Sequence, residues 1–198
     1  MRKVKFVDPA KVYMMIKHEL DAAYFEVMNK GDLIDRGQLK AFEENLAAFV
    51  GTKYAVGLNS GYDALHMSLR AAGIGAGDEV IVPAHTFVAS ASAIANVGAK
   101  PVLVDVGKDF NIDCEKIEEA ITPRTKAIMA VHLSGYMADM ARVMEIAEKH
   151  DLVVVEDACQ SLGASMAVAG SEVMGNGSWG KERNPSPITH HPLPITRT

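Results

Sequence analysis

The spacing of apolar positions changes several times along the chain, and each change marks a boundary. Before residue 51 the spacing is helical, with helices expected over 9–29 and 37–50. In the second, Leu39, Phe42, Leu46 and Phe49 recur on one face, and Gly51 suits a C-cap. Pro9 suits a first helical turn. From there to residue 157, short apolar runs alternate with helical patterns. Strands are expected at 54–58, 79–83, 100–106 and 126–133, and from 152 onward. Helices are expected at 64–72, 87–97, 113–121 and 138–150. The runs are apolar on both faces, as buried parallel strands are. Such alternation implies an α/β fold: a mainly parallel sheet with helices on both sides, joined by right-handed crossovers. The two leading helices fit either a place on the sheet or an oligomer surface.

The pattern stops after Ser165. Residues 166–198 hold four of the eight prolines, the single Trp and a Pro-Ser-Pro-Ile-Thr-His-His-Pro-Leu-Pro stretch. That stretch excludes a helix and a central strand and reads as loop or disorder. The expected organisation is one large domain over 1–165, with 1–50 as its N-terminal helices, and a divergent, disordered tail over 166–198.

Composition narrows the classes. A chain of 198 residues suffices for one sizeable core. A hydrophobic share of 48% and a charged share of 23% are ordinary for a globular protein. The formal charge of −5, with no basic stripe, argues against a nucleic-acid partner. Two cysteines, Cys114 and Cys159, make no disulfide framework and suit a reducing compartment. The basic start lacks an apolar secretory core, because Asp8, Lys11 and Lys17 interrupt it. No apolar stretch approaches the roughly 18 residues of a membrane span. A soluble cytoplasmic protein with no membrane partner is expected.

Candidate chemistry gathers where strands end. Asp157 closes the run Leu152-Val153-Val154-Val155-Glu156, and the carboxyl ends of parallel strands are where open α/β sheets bind ligands. The loop Asn59-Ser60-Gly61-Tyr62-Asp63-Ala64 lies between a strand and a helix, so N–H groups at the helix start could hold a phosphate. Ser60 adds a hydroxyl and Gly61 permits close approach; the plainer reading is an ordinary βα turn with an N-cap. It is no P-loop, since no Gly-Lys-Ser/Thr is present, and Gly73-Ile74-Gly75-Ala76-Gly77 precedes a strand and is a turn. Phe87 could stack on a flat cofactor ring or be the first core residue of its helix. His85 and His132 sit at similar strand tips without ligand-spaced partners, so no metal is expected. Beneath a pyridine ring, Asp157 would keep the ring nitrogen protonated, and Gln160 could hydrogen-bond the ring hydroxyl. A strand-end carboxylate could instead bind magnesium or a ribose. Together the Asp157 and Ser60 loops look like a pyridoxal-phosphate site. Glu156 should point the other way along the strand.

Four phrases carry a resemblance over about residues 30–165: FEENLAAFVGTKYAVGLNSGYDAL, GAGDEVIVPAHTFVASASAIANVGAKPVLVDV, ITPRTKAIMAVHLSGYMADM and LVVVEDACQSLGAS. In this order they resemble the DegT/DnrJ/EryC1/StrS sugar aminotransferases of the fold-type I pyridoxal-phosphate superfamily. The resemblance implies a three-layer α-β-α PLP-transferase large domain, incomplete at its carboxyl end. It implies amino transfer, usually from glutamate, to a keto group on a nucleotide-linked sugar, by homodimers that share active sites. Carried over, Ser60, Gly61 and Tyr62 would hold the cofactor phosphate, Phe87 would stack on the ring, Asp157 would pair with its nitrogen, and Gln160 would contact its oxygen. Tyr62 departs from the more usual threonine, which leaves its backbone N–H as the phosphate contact.

The family continues from a Gly-Ser-Phe/Trp-Gly phrase to Phe-Ser-Phe-x-Pro-x-Lys, whose lysine forms the Schiff base. Gly177-Ser178-Trp179-Gly180 fits the first phrase, and Lys181-Glu182-Arg183-Asn184-Pro185 does not lead into the second. Lys181 is the only lysine after Asp157 and comes too early; His190 and His191 lie in Pro-rich surroundings. No catalytic residue is assigned, and this chain is expected to be inactive as written. The abrupt change is read as a frameshift close to Gly180, the alternative being a short paralogue with a divergent tail. The rival functions are a non-catalytic binder of pyridoxal phosphate or a nucleotide-sugar, and an α/β protein in which Asp157 binds metal.

Overall fold

The computed structural model describes residues 5–31, 33–34, 37–168 and 171–174. Helices α1 (Pro9–Lys30), α2 (Gly37–Val50) and α3 (Gly61–Ala71) lead into β1 (Glu79–Pro83), α4 (Val88–Asn96), β2 (Lys100–Val104) and α5 (Cys114–Ala120). Next come β3 (Thr125–Val131), a short 3-10 turn (Leu133–Gly135), α6 (Met140–His150) and β4 (Val153–Asp157), and finally β5 (Ser165–Val168) and β6 (Ser171–Met174).

Four strands form a wholly parallel sheet in the order β2-β1-β3-β4. Alternate residues of each strand feed two cores. On one face Val80, Val82, Ala127, Met129 and Val155 pack with Leu65 and Leu69 of α3 and Ala93 and Ile94 of α4. On the other, Ile81, Val104, Ile128, Ala130 and Val154 pack with Ile117 of α5 and with Val143, Met144, Ile146 and Ala147 of α6. This is the expected three-layer α-β-α arrangement around a parallel sheet. β1 to β2 steps one way along the sheet and β3 to β4 the other, so the loops after β1 and β3 diverge. That point is where open α/β sheets leave a crevice for ligands.

Sequence expectation and structure differ in three places. Residues 54–58, expected as a strand, form no ladder among the described residues: Gly57 N donates to Glu43 Oε1 of α2 (2.7 Å), and Tyr54, Val56 and Leu58 are exposed. Apolar alternation gives a segment the capacity for a ladder, but a strand also needs an adjacent edge. Helix α3 starts at Gly61 rather than at residue 64, because the Ser60 hydroxyl caps it by accepting from Asp63 N (3.1 Å). Beyond Ser165, where patterning stops, β5 and β6 pair as an antiparallel hairpin, two residues apart in sequence. The rest of the expected tail, the break near Gly180, Lys181, His190 and His191 lie outside the described residues.

The leading helices touch the core little. α1 has no buried residue, and α2 buries only Ala47 and Val50. Among the described residues, no helix is long and apolar enough to cross a membrane.

Candidate functional site

Three loops converge at the carboxyl tip of β4. Helix α3 arrives first. Ser60 is extended (φ −160°) and caps the helix, so its Oγ is shared between Asp63 N and Asp63 Oδ2 (3.2 Å). The first main-chain bond of the turn is Ala64 N to Ser60 O (3.0 Å). The N–H groups of Gly61 and Tyr62 therefore have no protein acceptor among the described residues, which is the usual condition of a helix's first turn. They are aligned with the positive end of an 11-residue helix. A Cβ at Gly61 would stand 2.7 Å from Cys159 Sγ, so the missing side chain lets this helix start sit directly on the loop after β4.

The Tyr62 phenol turns away along the helix layer. Its oxygen accepts from Asn96 Nδ2 of α4 (2.6 Å), and its ring stacks on His66 with centroids 6.0 Å apart. What Tyr62 offers an anion at the helix start is its main-chain N–H.

The loop after β1 arrives second. Phe87 caps α4 without a side-chain hydrogen bond and is 72% exposed. Of the two readings of Phe87, a core position is thus excluded, and its ring is open to a ligand. Three residues on, Ser90 is fully buried and donates from Oγ to Asp157 Oδ2 (2.9 Å). Its one proton being used, Ser90 accepts from Thr86 Oγ1 (3.0 Å). Asp157, itself buried, takes a second bond at Oδ1 from Cys159 N (3.3 Å). Both oxygens of the acid are fixed by one side chain from α4 and one amide of its own loop.

The turn after β3 arrives third. Ser134 N donates to Gln160 Oε1 (2.7 Å), and the Gln160 amide nitrogen has no protein acceptor among the described residues. His132 N donates to Asp157 O (3.1 Å). Its buried ring lies on the opposite sheet face, between Ala138 N and Glu156 Oε2 (3.2 and 3.1 Å). Glu156 points away from Asp157, as alternation along a strand requires. His85 stands edge-on to Phe110, centroids 5.9 Å apart.

Ser60, Gly61, Asp157 and Gln160 thus meet around one loop, with Phe87 at its α4 side. Ser90, Thr86 and Ser134 were not singled out in the sequence. Ser90 alone had a local signal: it is a polar residue on the face of α4 that otherwise carries Ala93 and Ile94. The donor set fits a phosphorylated pyridine: open amides at a helix start, an exposed aromatic ring, and a fixed carboxylate beside a free amide N–H2. Among the described residues no group of three or more His, Cys, Asp and Glu converges as a metal site would.

Comparison with known proteins places the chain among many similar sequences and solved structures, of which a family model, one relative and two structures are representative. The model of the DegT/DnrJ/EryC1/StrS aminotransferase family matches residues 14–178. A Streptomyces venezuelae relative, dTDP-3-amino-3,4,6-trideoxy-alpha-D-glucose transaminase, is 46% identical over 163 residues, covering 82% of this chain and 43% of the relative. The crystal structure of S. venezuelae DesV superposes with a TM-score of 0.82 at 45% identity, covering 83% of this chain and 45% of DesV. NtdA from Bacillus subtilis, solved with bound cofactor PMP, gives a TM-score of 0.76 at 37% identity, covering 82% of this chain and 38% of NtdA. The chain therefore spans less than half the length of these proteins.

Proposed function

The chain belongs to the DegT/DnrJ/EryC1/StrS aminotransferase family, and on that premise we propose that its residues form the cofactor-holding part of a pyridoxal-phosphate enzyme. That enzyme moves an amino group, with glutamate as donor, onto a keto group of a nucleotide-linked sugar for polysaccharide or amino-sugar synthesis. A homodimer in the cytoplasm belongs to the same proposal. The observation that carries it is the contact of Gly61 with Cys159, which sets the open amides of α3 beside the loop of Asp157.

When bound, pyridoxal phosphate supplies an electron-withdrawing ring that stabilises negative charge at the carbon undergoing proton transfer. The chain's residues supply binding and orientation. Gly61 N and Tyr62 N would hold the phosphate at the helix start, and the Ser60 hydroxyl would join them by turning its one proton away from Asp63 Oδ2. Phe87, exposed at the start of α4, would stack on the ring. Asp157 would keep a proton on the ring nitrogen, and Ser90 and Cys159 N keep its oxygens from turning away. Gln160 would donate its amide N–H to the ring oxygen while Ser134 N fixes its carbonyl end.

These 198 residues hold no lysine in the Phe-Ser-Phe-x-Pro-x-Lys setting that the family uses for its covalent link. A polypeptide of this sequence is expected to bind the cofactor reversibly and to turn nothing over. The same observation favours a second reading: a relative that holds pyridoxal phosphate or a nucleotide-sugar without chemistry.

Titration of the purified chain with pyridoxal phosphate, followed by absorbance, tests the proposal. The expected result is saturable uptake that dialysis reverses, weakened about tenfold or more in Asp157→Asn, as loss of a charge-assisted contact predicts. No uptake by a folded chain would overturn the cofactor reading. A metal-dependent activity that Asp157→Asn abolishes would replace it with the metal-site rival. An assay with glutamate and a dTDP-linked keto-sugar separates the two remaining readings: absence of turnover fits the binder, and turnover would show that the lysine is dispensable.

A further inference from the structure

We propose that the buried His132–Glu156 pair is a positioning clamp for the ring end of the cofactor site, acting through the turn after β3 on Gln160 and Asp157. The proposal rests on the reading of those two residues as cofactor contacts. It adds a part that the reading does not use.

The pair is sealed. The side chains of His132 and Glu156 are 0% and 2% exposed, and they lie on the face of α5 and α6, with the sheet between them and Ser90. A ring nitrogen that accepts a hydrogen bond carries no proton. Because His132 Nδ1 accepts from Ala138 N (3.2 Å), the proton sits on Nε2 and is donated to Glu156 Oε2 (3.1 Å). The residue supplying that amide, Ala138, is itself fully buried. One imidazole thus closes the turn from 132 to 138 and ties it to β4.

That turn is not a relaxed one. Ser134 has φ 56° and ψ 22°, the left-handed region that side chains rarely adopt. Such a conformation persists where its surroundings hold it. Its product is the direction of the Ser134 N–H, which meets Gln160 Oε1 at 2.7 Å. At the next position, Gly135 (φ 85°), a Cβ would stand 3.1 Å from Gln160 O, so the two loops are pressed together there. The same turn begins with His132 N on Asp157 O (3.1 Å).

Glu156 and Asp157 are consecutive and face opposite sides of the sheet. Glu156 is held by His132 and Asp157 by Ser90. Two anchors on opposite faces stop the strand tip from rotating about its axis. With one anchor gone, the carboxylate of Asp157 and the amide of Gln160 lose their common frame.

A pair with a merely structural role would change stability alone, so the test reads geometry at Gln160. Glu156→Gln keeps an acceptor oxygen for His132 Nε2–H. Glu156→Leu removes it. His132→Asn keeps an acceptor for Ala138 N but does not reach Glu156, and it decides the matter if the leucine variant does not fold. The first readout is hydrogen exchange of the Ser134 amide, together with the Gln160 side-chain amide resonances, in the cofactor-free chain. The second is the affinity and absorption maximum on titration with pyridoxal phosphate.

In Glu156→Leu and His132→Asn, Ser134 exchange is expected to speed up and cofactor affinity to fall, each about tenfold, with a shifted absorption maximum. Glu156→Gln is expected to match the unmodified chain in all three. Folded variants with unchanged Ser134 exchange would overturn the clamp, and so would faster exchange with unaltered cofactor affinity and spectrum. Should the unmodified chain take up no pyridoxal phosphate, the cofactor reading falls by itself. The Ser134 and Gln160 signals then decide the clamp alone: a change upholds it and no change overturns it.

Discussion

At Gly61 the separation between a would-be Cβ and Cys159 Sγ is 2.7 Å, well inside contact distance. An alanine there must push the start of α3 off the β4 loop or displace the sulfur. Overpacking of this kind costs about 1–3 kcal/mol. In Gly61→Ala, pyridoxal-phosphate affinity is expected to fall about tenfold, while Cys159→Ala alone changes it by less than about twofold. The double variant recovers most of the loss, because the clashing atom is gone. Titration of the three variants checks this, and a double variant as weak as Gly61→Ala would show that the contact does not set the phosphate loop. At this scale the sequence was informative where a role depends on position along a strand. Asp157 stood out because it closes an apolar run, and Ser60 and Gln160 because they lie in the loops that follow such runs. Ser90 showed only as a polar residue on an apolar helix face, since its partner lies 67 residues away and nothing local reports which group it meets. Ser134 was hidden for a related reason: its part is played by a main-chain N–H, which every residue type but proline possesses.

Among the elements, β1 is tied at its first residue. The Glu79 side chain is 2% exposed and accepts from Thr122 Oγ1 (2.5 Å), Arg124 Nη2 (2.7 Å) and Lys100 Nζ (3.3 Å). The Thr122 hydroxyl foremost, then Arg124, hold its carboxyl down at about 2 against the opposing effect of burial. The folded value lies below the unfolded one of about 4.3, so ionised Glu79 stabilises the fold. That contribution is whole above the unfolded value and is lost as pH falls through the folded one. Urea midpoints near neutral pH and near pH 3 check this: the drop is expected to be smaller in Glu79→Gln than in the parent, and equal drops would refute the assignment. The tie joins the start of β1 to β2 and to the turn that leads into β3, and β2 and β3 are the two ladder neighbours of β1. Periodicity placed β1, β2, β3 and β4 to within a few residues, because strands buried on both faces read as continuous apolar runs. Residues 54–58 carry a similar run and form no ladder. Whether such a run becomes a strand is settled by its neighbours, and a local pattern holds no record of them.

The whole molecule leaves much apolar surface uncovered among the described residues. Met14, Met15, Ile16, Leu20, Tyr24 and Phe25 are exposed on α1, and Tyr54, Val56 and Leu58 are exposed before α3. On its outer side β4 has no ladder partner among the described residues. Exposed apolar patches and bare strand edges both favour association. Sedimentation velocity over a range of concentrations is therefore expected to show mass rising with concentration, and Phe25→Glu together with Met15→Glu to reduce the rise. A monomer at every concentration would contradict this.

The order β2-β1-β3-β4 also bears on how the protein is made. As the chain leaves the ribosome, β2 finds β1 already outside, β3 finds the other edge of β1, and β4 finds β3. No strand of this sheet waits for a later one, so it can grow in step with synthesis, N-terminal part first. Gly61, Phe87 and Ser90 have emerged by the time β4 docks. Of the described residues of the candidate site, the Asp157–Gln160 loop is the last to emerge, and its docking is the event that brings the separate loops together.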